Sequence, residues 1–202
     1  MESKGPVVVA NVPPQYRLGS SVGLDAKDAK DAKAPAKSSA LSAPGPSKIY
    51  DYLYLGSWRN LADIENLKRL GITGVINVSS NYKIMEEWAE ANLKKHLDAD
   101  FCFVNLDTDH STKDTFLTAF DTAVRFIESH RPRGGKILVQ CNNGIERSAA
   151  IVLGFVMRQE RLSYGKALAK LRNQGVLIHT HRWLEEVLED LDDAMPDDDV
   201  CC

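Results

Sequence analysis

Short apolar runs and longer stretches with helical spacing take turns along this chain, and they begin only after about residue 46. Before that point Pro, Ser, Ala and Lys dominate, and Asp25 to Lys33 reads DAKDAKDAK, a tandem triplet. Such a segment buries too little apolar surface to offset the entropy of ordering it, so residues 1–46 are expected to form a solvated tail. Ile49 to Leu55, IYDYLYL, is rich in aromatic and branched residues and predicts a strand that ends at Gly56. Leu61, Ile64, Leu67 and Leu70 recur at helical spacing, with Gly71 as the stop. Ile72 to Val78 is then a short apolar run closed by Ser79, Ser80 and Asn81, the pattern of a buried parallel strand, which makes the helix before it a crossover.

The same alternation continues. Ile84, Met85, Trp88, Ala89 and Leu93 mark an amphipathic helix, and Phe101 to Leu106 the next strand, which delivers Asp107, Thr108, Asp109 and His110 to its C-terminal end. Phe116, Phe120, Ala123, Val124 and Ile127 form one stripe of a helix ended by HRPRGG, and Ile137 to Val139 is a further strand. An apolar helix follows, then one from about Ser163 with Ala167, Leu168 and Leu171 inward, then one with Trp183, Leu184, Val187, Leu188 and Leu191 inward. Strands alternating with helices predict an α/β domain over residues 47–193, with a mostly parallel central sheet of four to five strands flanked by helices, and an acidic frayed end at 194–202.

Charge and cysteine content narrow the function classes. A net charge of -3 lacks the basic excess of a general nucleic-acid binder. The four cysteines, Cys102, Cys141, Cys201 and Cys202, make no disulfide framework, and a reducing compartment, cytoplasmic or nuclear, fits them. PVVVANV near the start is too short for a signal-peptide core, and no stretch reaches about 18 apolar residues. The terminal Cys201 and Cys202 resemble the prenylated ends of Rab-type small GTPases. They are not a C-a-a-X box, and the acidic run MPDDDV before them would be repelled by an anionic membrane, so stable membrane association is not expected.

The chemistry concentrates in Lys136 to Arg158, KILVQCNNGIERSAAIVLGFVMR, which reads as strand, loop and helix. A loop of this kind turns successive backbone N–H groups into one concavity, and the helix behind adds its positive end, so an oxyanion is held there without a metal. Cys141 would lie at the floor of that concavity with its thiolate favoured. Arg147 can hold two oxygens of one phosphoryl group in its planar fork. Beside a positive helix end an arginine is unfavourable unless an anion is expected.

Cys141, Asn142, Asn143, Gly144, Ile145, Glu146, Arg147 and Ser148 resemble the cysteine-phosphatase signature, a Cys and an Arg five residues apart followed by Ser or Thr. YLYLGSWRNLADIENLKRLGITGVINVS and FIESHRPRGGKILVQC resemble flanking segments of a dual-specificity phosphatase domain, over about Ser47 to Leu191. The resemblance implies a three-layer cysteine-phosphatase-like fold and a phosphocysteine intermediate on Cys141, formed without cofactor or metal. It implies that Arg147 and the backbone of Asn142, Asn143, Gly144, Ile145, Glu146 and Arg147 bind phosphate, and that Ser148 hydrogen-bonds the departing sulfur. The general acid is expected about thirty residues before the Cys, at Asp109 with Asp107 as competitor. The substrate class so implied is a phosphorylated protein.

Four positions depart from the family pattern. Gln140 stands where His is usual, Glu146 puts a carboxylate beside the anion site, and His179 and Thr180 replace the common Pro-Asn. They leave open a weak pseudophosphatase that only binds phosphate, and a phosphatase of a phosphoinositide, RNA or glucan phosphate. A rhodanese-like enzyme would not require Asp109 or the helical C-terminal half.

Overall fold

The computed structural model of the protein describes residues 45–78, 87–97, 99–104 and 112–193. The tail over 1–44, Ile84, Met85, Asp107, Asp109, His110 and the acidic end at 194–202 lie outside the described residues. Five strands form one sheet in the order β1-β2-β5-β3-β4. These are β1 (Ser47–Tyr50), β2 (Leu53–Ser57), β3 (Gly74–Val78), β4 (Asp100–Val104) and β5 (Ile137–Cys141). Only β1 and β2 pair antiparallel; β2 with β5, β5 with β3 and β3 with β4 are parallel.

The single strand expected over Ile49 to Leu55 is a hairpin instead. The chain turns at Asp51 and Tyr52, and Lys48 Nζ holds the Asp51 carboxylate at 2.6 Å. A polar residue inside an apolar run marked that turn. Gly56 lies within β2 rather than ending it.

The expected first helix is also two pieces, α1 (Trp58–Ala62) and α2 (Ile64–Leu70). Asp63 between them leaves helical geometry at φ -84°, ψ 70° and accepts the Asn66 N–H on its side chain, so it closes one helix and caps the next. Gly71 ends α2 in the left-handed region at φ 73° as predicted. The helix around Trp88 contains a π turn, Glu90–Lys94, before the last short turn α3, Lys95–Leu97.

The longer helices are α4 (Lys113–His130), α5 (Arg147–Glu160), α6 (Tyr164–Asn173) and α7 (Arg182–Asp193). Successive strand residues face opposite sides of the sheet, and the core divides accordingly. Leu53, Leu55, Ile76, Val78, Ile137, Val139 and Cys141 pack with α4, α5, α6 and α7. Tyr54, Val75 and Leu138 pack with Leu61, Leu67, Ala89 and Leu93 on the other face. Helix, sheet and helix make the three layers. α5 is buried without a break from Ser148 to Met157, as an all-round apolar helix must be. No helix among the described residues is long and apolar enough to cross a membrane.

Because α5 carries the residues of the signature, its far end is anchored. The Tyr50 hydroxyl donates to Glu160 Oε1 at 2.6 Å, and Lys170 of α6 approaches the same carboxylate at 2.5 Å. Lys170, then Tyr50, hold the Glu160 carboxyl below its ordinary range, while burial and then Glu160 push the Tyr50 hydroxyl up. A carboxylate with a lowered folded pKa contributes its stability above the unfolded value and loses it as pH falls through the folded one. Glu160→Gln should therefore cost about 1 kcal/mol in urea unfolding at neutral pH, the size expected of a partly screened pair. The difference from wild type should fade below pH 4.5, the ordinary value of the carboxyl. A cost that stays constant down to pH 3, on the order of one unit lower, would assign it to packing.

Candidate active site

β5 runs through the middle of the sheet and stops at Cys141, level with Ser57 of β2. Cys141 is only 2% exposed. Its sulfur accepts two hydrogen bonds, from the Gly144 N–H at 3.3 Å and from the Ser148 hydroxyl at 3.1 Å. Donors aimed from two sides suit a sulfur that carries negative charge. The sequence placed Cys141 and Ser148 together, and the structure does so.

The loop between them is held from outside. The Trp58 N–H donates to the Asn142 carbonyl at 3.3 Å, and the His179 N–H to the Ile145 carbonyl at 2.8 Å. In a planar trans peptide the next N–H points opposite to the carbonyl, so the N–H groups of Asn143 and Glu146 turn away from those partners. Gly144 occupies the left-handed region at φ 76°. A Cβ there would stand 2.6 Å from the Gly56 carbonyl oxygen, so only glycine lets β2 come this close. Asn142 and Asn143 are exposed, Ile145, Glu146 and Arg147 half-buried, and the bent segment Asn142 to Glu146 joins β5 to the helix that begins at Arg147, with the Gly144 N–H turned to the sulfur. Such a loop could hold an oxyanion with backbone N–H groups alone.

Arg147 opens α5, a helix whose positive end faces the loop. Its guanidinium makes no hydrogen bond or ion pair with any described residue, so its charge is not spent on a neighbouring carboxylate. Glu146 stands at the N-cap with φ -122° and ψ -87° and makes no side-chain capping bond. The acid candidates Asp109 and Asp107 lie outside the described residues, which reach the end of β4 at Val104 and resume at Thr112.

Two supports were not read from the sequence. Gln140, on the sheet face opposite Cys141, donates its amide to Asn77 Oδ1 directly across on β3, with both side chains 1% exposed. A polar residue within GVINV, all of it buried, was the available signal. The pair gives Gln140 a fixed, uncharged partner where the family pattern has a histidine, and it ties the strand of the nucleophile to β3. The second is the segment before α7. Its His179 N–H holds the loop, and Thr180, buried, donates to Glu185 Oε1 at 2.9 Å. The departure at those two positions thus supplies a tether that a proline at position 179, with no N–H, could not make.

Comparison with known proteins gives these features a family. Residues 53–189 match the model of the dual specificity phosphatase catalytic domain. Dual specificity protein phosphatase 1-B of Xenopus laevis is 33% identical over 134 residues, which are 66% of this chain and 33% of that protein. The chain thus spans about a third of that relative's length. Among solved structures, human DUSP28 superposes with a TM-score of 0.62 at 24% identity, covering 77% of this chain and 98% of that one. PTPMT1 in complex with PI(5)P superposes at 0.59 and 18% identity, covering 72% and 93%. Both structural likenesses concern the fold. With the family model covering more than half of its length, this chain belongs to the dual specificity phosphatase catalytic-domain family.

Proposed function

We propose that the protein is a cysteine-dependent phosphomonoesterase acting on phosphorylated proteins. The observation that carries this reading is the Cys141 sulfur, held between the Gly144 N–H and the Ser148 hydroxyl at the foot of a loop that ends in Arg147, a cation with no partner among the described residues. In the first step the thiolate attacks phosphorus in line, the P–S bond forms and the P–O bond to the leaving group breaks. Arg147 and the N–H groups of Asn142 to Arg147 carry the charge on the equatorial oxygens. The leaving oxygen takes a proton from Asp109. In the second step water attacks phosphorus, gives a proton to the Asp109 carboxylate and releases inorganic phosphate, while the Ser148 hydroxyl hydrogen-bonds the departing sulfur. No redox partner is needed, and the enzyme returns with its thiolate and its protonated acid.

The reading of a binding module differs by experiment. Purified protein should release phosphate from a small aryl phosphate in the presence of a chelator, and Cys141→Ser should reduce this to background. Wild type as inactive as Cys141→Ser, with both binding tungstate, would leave a phosphate-binding module instead.

The choice of acid has its own readout. Asp109→Asn should lower turnover about 10²- to 10⁴-fold for aryl phosphates with poor leaving groups and little for those with good ones, which depart without a proton. A larger loss in Asp107→Asn, or an equal loss with both leaving groups, assigns the acid elsewhere.

A further inference from the structure

One ionisable side chain of the loop has no part in this chemistry. Glu146 sits between the tethered Ile145 and Arg147, half-exposed, and forms neither a helix cap nor any hydrogen bond or ion pair with a described residue. Arg182, at the start of α7 just beyond the tether at His179, already gives its charge to Glu186 at 3.1 Å. Two adjacent residues of the loop, with Cα atoms about 3.8 Å apart, thus carry opposite charges that no described residue pairs. Arg147 finds its partner in the phosphoryl group. Glu146 has none among the described residues.

The consequence follows from Coulomb's law. A carboxylate on the residue next to Arg147 repels a bound dianion at intermediate dielectric, and every further negative charge on the ligand adds to that cost. A cation carried by the ligand removes it. We infer that Glu146 is a specificity-determining residue that selects phosphorylated protein segments with Lys or Arg beside the phosphorylated residue, and rejects polyanionic phosphates such as phosphoinositides and RNA. This rests on the phosphatase reading and names the substrate class of the same site. The positive end of α5 stabilises a carboxylate at this position too, but that effect acts on the free protein and discriminates between no two substrates.

The test compares catalytic efficiencies within each enzyme. Two phosphopeptides of equal length, one flanked by Lys and Arg and one by Asp and Glu, are measured with soluble short-chain PI(5)P and a small aryl phosphate. Wild type at low salt should prefer the basic peptide roughly three- to tenfold over the acidic one, the range of a partly screened charge pair. The ratio should fall toward one in Glu146→Gln, invert in Glu146→Lys and shrink in 0.5 M salt, where the screening length is only about 4 Å. PI(5)P turnover relative to the aryl phosphate should rise in both variants. A wild type that turns over the aryl phosphate but treats the peptides alike, or prefers PI(5)P, overturns this inference and leaves the phosphatase reading intact. A wild type inactive on the aryl phosphate overturns that reading, and the ratio of dissociation constants for the two peptides then decides the selectivity in the same way.

Discussion

Inward-facing N–H groups are costly to gather, since each wants a partner and together they repel, so a loop that presents several of them must be held in shape from outside. Here the restraint acts on carbonyls. Trp58 and His179 each donate a backbone N–H to the loop, one to Asn142 and the other to Ile145, and peptide planarity transmits that grip to the opposite side of each linkage. The first tether comes from the start of α1, just past β2, and the second from the segment before α7, so the geometry around Cys141 depends on elements far apart in sequence. Gly144 makes the first possible by letting its backbone approach that of Gly56 and Ser57 where no Cβ fits. Burial of α5 across all its faces keeps the second in register, because the helix that begins at Arg147 has nowhere to move.

Charge obeys the same economy. α5 begins with an arginine beside its own positive end, an arrangement that raises the energy of the free protein and lowers that of an anion complex. The strand below is neutral. Gln140 meets Asn77 across the sheet, an uncharged pair in a position where hydrogen bonding can fix a side chain without adding to the field of the site. Positive potential at the loop therefore comes from the backbone, the helix end and Arg147, and Glu146 subtracts from it.

Much of this was legible in the sequence, and for identifiable reasons. β5, the loop and α5 follow from an apolar run, a Gly-containing turn and an apolar stretch too long for a strand. α4 shows its stripe from Phe116 to Ile127, and Gly71 its left-handed stop. The hairpin of β1 and β2 has little local signal, because Tyr52 looks like a strand residue but lies in the turn, whose only polar mark is Asp51. Asp63 was similarly read as an interior residue of one helix, although a short acidic side chain can cap a second. Contacts such as His179 to Ile145 have no local signal at all: they depend on where the topology brings two loops, which no window of the chain contains.

The unusual carboxylate bears on how activity divides between binding and turnover. In the proposed reaction the phosphoryl group carries its negative charge both on arrival and in a loose, metaphosphate-like transition state. A fixed charge at the rim feels nearly the same total in each. Repulsion by Glu146 is then uniform: it weakens the bound complex and the transition state alike, which raises KM and leaves kcat nearly untouched. A phosphatase so arranged is not slowed at the chemical step. It is made dependent on what else the substrate brings to the rim, and a neighbouring cation restores the binding that the bare phosphate loses.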